Sequence, residues 1–171
     1  MTTTPSLQIT TPSDREIAMT RAFDAPRHLV FEALTKPEWV SRWMLGPDGW
    51  TMPICQIDLI VGGAYRYVLR RDTVPAKPDE GCGGQEVAFG GEFREIQPPD
   101  RLVVTEKFDD YPGDSLVTWS LTEQGGQTTL VCTSLYDSKE TRDAVLKSGM
   151  ESGVARGYER LDDLLAAALK R

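Results

Sequence analysis

Residues 138–171 carry apolar side chains at helical spacing: Leu146, Met150, Val154, Tyr158, Leu161, Leu165 and Leu169 recur three or four positions apart. One stripe of this kind predicts a single long amphipathic helix, capped by Asp137 or Ser138, with Thr141 and Arg142 in its first turn. Ahead of it, hydrophobic and polar residues alternate with period two in short runs. Residues 14–23 place Ile17, Met19 and Phe23 on one face and bring Arg21 to that same side. Residues 50–59 form a strand interrupted by Pro53, which suits an edge position. Residues 64–71 put Tyr65, Tyr67 and Leu69 together, and residues 86–96 form the next strand. After the Pro98-Pro99-Asp100 turn, Leu102, Val104, Glu106 and Phe108 share a face. Val117, Trp119 and Leu121 share the next. The Gly125-Gly126 hairpin signal then leads into residues 128–136, with Leu130, Cys132, Ser134 and Tyr136 in phase.

Two short helices interrupt this series after the first strand. Asp24-Ala25-Pro26 starts one that buries Val30, Phe31 and Leu34, and the second follows Pro37 and stops at the turn over 46–49. Residues 1–13 lack periodicity and are expected to be a disordered tail. Residues 72–85, rich in Pro and Gly, are expected to be a long mobile loop. Seven strands, two short helices and a long last helix make an α+β fold: one domain over 14–171, its curved antiparallel sheet holding the helix.

The long helix has one anomaly. Gly149, Gly153 and Gly157 are spaced by four and would leave a bare groove, at a cost of about 1 kcal/mol each relative to alanine. Either the groove lets another element pack closely, or it clears space for a cavity between helix and sheet.

Composition narrows the class. With 40% hydrophobic and 26% charged residues, the chain is globular, and no apolar run reaches membrane-spanning length. The N-terminus lacks a basic region followed by an apolar one, so a cytoplasmic protein is expected. A net charge of −7 argues against nucleic acid as a partner. Cys55, Cys82 and Cys132 are far apart and are expected to be inert thiols, with Cys82 in the glycine-rich loop. With His28 the single histidine, neither a metal site nor a histidine-based catalytic unit is expected, and no phosphate-binding loop is present. No cofactor is implied.

Particular residues then carry a resemblance. Arg21-x-Phe23-x-Ala25-Pro26, Trp39, Trp43, Gly46-Pro47, and Asp58 with Gly62-Gly63 follow one another in order. Gly91-x-Phe93-x-Glu95-Ile96, the Pro98-Pro99-Asp100-Arg101-Leu102 turn and Ser148-Gly149-Met150 complete the series. From about residue 14 to the C-terminus the chain resembles the homologues of the heat-shock-chaperone ATPase activator, within the START/Bet v 1-like (SRPBCC) superfamily. The resemblance implies a helix-grip fold, a seven-stranded sheet curled around the last helix, often enclosing a cavity for an apolar ligand. Many relatives have Asp-x-Arg before the double glycine. Here Asp58 is followed by Leu59 and Ile60, so a partner role played by that arginine is missing.

Candidate chemistry centres on Glu106, whose phase puts it on the apolar side of its strand. A carboxylate in an apolar cavity has a raised pKa unless paired and can donate or accept a proton. Arg21 has the same inward phase and could pair with it. Glu92 and Arg94 lie opposite Phe93 and are weaker candidates. Ligand-lining candidates are Trp43, Tyr65, Tyr67, Glu106, Trp119, Tyr136, Met150, Val154 and Tyr158. The leading expectation is a binding module for a small apolar or amphipathic molecule. The alternatives are a cyclase- or hydrolase-like enzyme using Glu106, in the manner of polyketide cyclases, and a co-chaperone. A homodimer is left open.

Overall fold

The computed structural model describes residues 6–71, 85–111 and 113–170. Its strands form one antiparallel sheet, β1 (Gln8–Thr10), β2 (Glu16–Phe23), β3 (Thr51–Ile57), β4 (Ala64–Arg71), β5 (Gln85–Gln97), β6 (Arg101–Phe108), β7 (Ser115–Gln124) and β8 (Gln127–Leu135), in the order β1-β2-β8-β7-β6-β5-β4-β3. The count is therefore eight rather than seven among the described residues. The extra strand corrects the expectation of a disordered tail at residues 8–10, which pair with 18–20 as an edge, while residues 1–5 lie outside the described residues. The long loop expected over 72–85, Cys82 included, lies outside the described residues apart from Gln85, which opens β5.

Connectivity explains the grip. After β2, the helices α1 (Arg27–Thr35) and α2 (Pro37–Trp43) carry the chain to the opposite edge, where β3 begins. From there the chain meanders back strand by strand until β8 pairs with β2 along its whole length. Pro53 does fall on an edge strand, at a register irregularity between Thr51 and Ile54. The β7–β8 hairpin turns through Gly125 (φ 60°) and Gly126 (φ 78°), the paired positive φ of a type I′ turn.

The expected single C-terminal helix is two: α3 (Lys139–Lys147) and α4 (Met150–Leu169). Ser138 caps α3, its Oγ accepting from the Thr141 amide at 3.1 Å. Gly149, at φ 79°, is the left-handed joint between them, a conformation open to glycine and strained for other residues. It is therefore a break and not part of a groove. The ends of the predicted stripe, Leu146 and Leu169, are exposed, while Tyr158, Leu161 and Leu165 are fully buried.

Gly153 and Gly157 admit close packing. A Cβ on Gly153 would sit 3.2 Å from Pro47 Cδ, and one on Gly157 would sit 3.0 Å from the Trp43 carbonyl oxygen. The α2–β3 connection fills the space, so the glycines clear no cavity there. Arg160 reinforces the contact, donating to the Gly46 carbonyl at 2.7 Å and to Asp48 at 3.0 Å, where Arg156 also bonds at 2.9 Å. The main core lies between the sheet's concave face and α1, α2 and α4, centred on Phe23, Val30, Trp43, Leu130, Tyr158 and Leu161.

Candidate functional site

The concave face divides into two regions. Around α4 the packing is aromatic and apolar. Tyr158 meets Phe23 edge-on at 5.3 Å and Trp43 at 5.8 Å, and the Trp43 indole N–H donates to the Ala33 carbonyl at 2.8 Å. Burial pushes the Tyr158 hydroxyl pKa upward. Trp43 and Tyr158, expected to line a pocket, thus belong to the structural core. Val154 packs against that core, and Met150 opens α4 half-buried.

The second region surrounds Glu106, two residues before the end of β6. The β6–β7 register is unbroken, so Glu106, half-buried, keeps the phase of Leu102 and Val104. Register places Ile57 opposite Tyr65, Tyr65 opposite Gly91, and Glu106 opposite Ser115; continuing the β5–β6 ladder sets Glu106 beside Gly91. A Cβ at Gly91 would overlap the Thr105 carbonyl oxygen, so the strands pinch together there. Tyr65 reaches across the pinch and its hydroxyl donates to that carbonyl at 2.6 Å, while the Glu92 amide donates to Thr105 Oγ1 at 2.9 Å. The residue before Glu106 is thus held from two sides.

The electrostatics follow from burial. Desolvation raises the Glu106 carboxyl from 4.5 to about 7, and among the described residues no opposing charge or side-chain hydrogen bond lowers it. The anion in turn raises its neighbours. Burial first, then Glu106, pushes up the hydroxyl of Tyr65, and both contribute at Tyr67 and at the Cys132 thiol. Tyr136 is pushed to about 12, first by burial. Tyr65 and Tyr67 on β4 and Tyr136 just after β8 thus lie within electrostatic reach of Glu106 on β6.

The expected Arg21–Glu106 pair is not formed. Arg21, 4% exposed, binds both carboxylate oxygens of Asp162 on α4, donates to the Ala22 carbonyl at 2.6 Å and lies 4.8 Å from the Phe23 ring centre. Glu92 and Arg94 pair with each other at 3.5 Å on the exposed face, and His28 is exposed. Trp119, half-buried, sits between Leu102 and Cys132 in register.

Three phenylalanines absent from the sequence candidates complete the wall. Phe93 lies 5.6 Å from Tyr65, Phe89 lies 5.3 Å from Tyr67, and Phe89 stacks on Phe108 at 4.7 Å. Their signal was present: Phe89 and Phe93 alternate on one face of β5, and Phe108 shares the phase of Glu106. A separate open cleft of about 420 Å³ at the β7–β8 hairpin, lined by Thr122, Glu123, Gln124, Gln127 and Thr129, contains none of this chemistry. Among the described residues no group of His, Cys, Asp and Glu could hold a metal ion, and no helix is long and apolar enough to cross a membrane.

Comparison with known proteins accounts for this architecture. The family described as Activator of Hsp90 ATPase homolog 1-like protein matches residues 24–166. The chain belongs to this family. A crystal structure of a protein from Rhodobacter sphaeroides is 32% identical with a TM-score of 0.83, covering 95% of this chain and 99% of that one. One from Chromobacterium violaceum is 26% identical with a TM-score of 0.71, covering 88% and 96%. The solution structure of the AHSA1-like protein from Aeromonas hydrophila, 21% identical with a TM-score of 0.65 over 90% and 94%, shares the fold. No curated protein matches the chain. In this activator-homologue family member, the helix-grip architecture is as the sequence implied, with β1 added at the edge.

Proposed function

We propose that the chain is a cytosolic binding module for a small apolar or amphipathic molecule, held on the concave face beside Glu106. The observation that carries this reading is the Glu106 carboxyl itself. Desolvation raises it, Tyr65, Tyr67 and Tyr136 lie within its electrostatic reach, and among the described residues no charged partner offsets it. An uncompensated buried charge is destabilising, and a position with a purely structural role would favour an apolar residue like its strand neighbours Val104 and Phe108. The adjoining rings supply apolar surface with polar tips, the lining typical of small-molecule sites.

The test is a thermal-shift screen against lipophilic compounds. A ligand at about a hundred times its Kd adds about 2.7 kcal/mol, or roughly 5–11 °C for a chain of this size. The reading fails if no compound moves the transition and none displaces a polarity-sensitive dye.

A second reading, a cyclase- or hydrolase-like enzyme, is favoured by the same carboxyl, because a group at about 7 is suited to proton transfer near neutrality. Unchanged turnover in Glu106→Gln, measured on a substrate from that screen, would end it.

A further inference from the structure

We infer that the β3 edge of the sheet is a self-association surface, along which two copies of this chain pair antiparallel about an axis at Gln56. β3 is the last strand of the sheet, with β4 as its one neighbour. The Asp58 N–H donates to the Ala64 carbonyl at 2.9 Å, and the same ladder sets Gln56 opposite Arg66 and Ile54 opposite Val68. On an antiparallel ladder these alternate residues turn their backbone groups to β4, so Cys55 and Ile57 turn theirs out to the edge. Pro53 continues the outward set and, having no N–H, presents its carbonyl alone.

Sheet edges are ordinarily guarded by shortness, charge, proline or a bulge. The opposite edge, β1, is three residues long. On β3, Pro53 and the irregularity beside it guard the first half and leave Ile54 to Ile57 in regular register. Charge does not guard the rest, because Asp58 is the one charged residue in the sequence between Asp48 and Arg66. The described residues include eight exposed large hydrophobics, and four of them, Ile54, Leu59, Ile60 and Val61, lie on this strand and the turn after it. Ile60 and Val61 are 60% and 66% exposed. The turn is held in this form: the Gly62 N–H donates to the Phe93 carbonyl and the Gly63 N–H to the Ile60 carbonyl, both at 2.8 Å. A Cβ on Gly63 would overlap the Asp58 carbonyl. The fold thus presents apolar side chains at an open edge.

A second copy is the occupant this edge fits, because the edge is complementary to itself. With Gln56 on the axis, Cys55 lies opposite Ile57 of the second copy, and the pair exchanges both of its backbone hydrogen bonds. Continuing the ladder sets Leu59 beside Pro53 of the second copy, where the proline carbonyl accepts and its missing N–H asks for nothing. Asp58 falls beside Ile54, and the two Asp58 carboxylates stay roughly 13 Å apart along the strands, beyond a Debye length of about 10 Å. Two chains of net charge −7 can meet here because their charge is sparse along this stretch. A short strand pair and a few side chains fall below the roughly 800 Å² per partner of a standard interface, so the dimer should be weak, with a Kd on the order of 100 μM.

Sedimentation velocity of the full chain from about 5 μM to about 1 mM tests the pairing, and the average mass should climb toward that of a dimer. Gln56 is exposed and faces its own counterpart at a pair without backbone hydrogen bonds, where side chains stand closest. Gln56→Lys and Gln56→Glu should each weaken association by roughly fivefold, and an equimolar mixture of the two should recover the unaltered affinity or exceed it. Recovery in the mixture also shows that both variants are folded. A chain still monomeric at about 1 mM would overturn the inference, as would a dimer indifferent to either charge at position 56. Monomers that float with phosphatidylcholine vesicles, and cease to do so with Ile60→Ser, would give the apolar turn to a lipid surface and overturn it as well.

Discussion

Replacing Glu106 with Gln should make the protein more stable, and only at neutral and alkaline pH. Burial raises this carboxyl from 4.5 to about 7, so between those values the folded chain holds a proton that the unfolded chain has released. Stability from this group is therefore highest in acid and falls as pH rises, levelling off above about 7. At 1.36 kcal/mol per unit, the charged side chain destabilises the fold by about 3 kcal/mol at about pH 8. Gln removes the charge but keeps a polar amide in the same place, at a residual cost on the order of 1 kcal/mol. The net expected gain is about 2 kcal/mol, or roughly 4–8 °C in Tm. At about pH 5 the two proteins should differ by less than about 1 kcal/mol. Urea denaturation of both across this pH range gives the comparison. Equal stability at about pH 8, or parallel pH profiles, would mean that Glu106 is solvated or paired in solution, and the case for a ligand beside it would lose its basis.

Four further substitutions probe the frame around the site. Gly157→Ala gains about 1 kcal/mol in helix propensity but sets a Cβ 3.0 Å from the Trp43 carbonyl, so a net loss of about 1–2 kcal/mol is expected. Gly153→Ala, facing Pro47 at 3.2 Å on a connecting loop, should stay within about 1 kcal/mol; stabilisation in both, by urea melts, would show that α4 is not tightly packed there. Gly91→Ala forces a Cβ into the Thr105 carbonyl and should lose about 3 kcal/mol, with loss of the Tyr65–Thr105 bond visible in the Tyr65 hydroxyl NMR signal. Asp162→Asn strands the buried Arg21 guanidinium and should lower stability by about 2 kcal/mol, less than for a fully buried pair because Asp162 is 37% exposed. An unchanged denaturation midpoint would show that Arg21 finds another partner.

The main lines of the fold could be read from short-range pattern. Strand geometry sends alternate side chains to opposite faces, so Tyr65 and Tyr67 had to share a face and Glu106 had to join Val104, whatever the rest of the chain did. Ser138 as a cap and Gly125-Gly126 as a turn are local in the same sense. Their chemistry acts within three or four residues. The partners were another matter. Arg21 and Glu106 share an inward phase, yet Arg21 meets Asp162, 141 positions away, because α4 crosses the sheet at that point. Three glycines spaced by four read identically as a groove, a packing seam or a break. The left-handed φ at Gly149 and the approach of Trp43 and Pro47 decided among them. Covalent geometry gives each residue its direction, and only the packed chain determines what stands in that direction. For this protein the sequence aimed Glu106 inward, and the tertiary structure set no charged partner against it among the described residues.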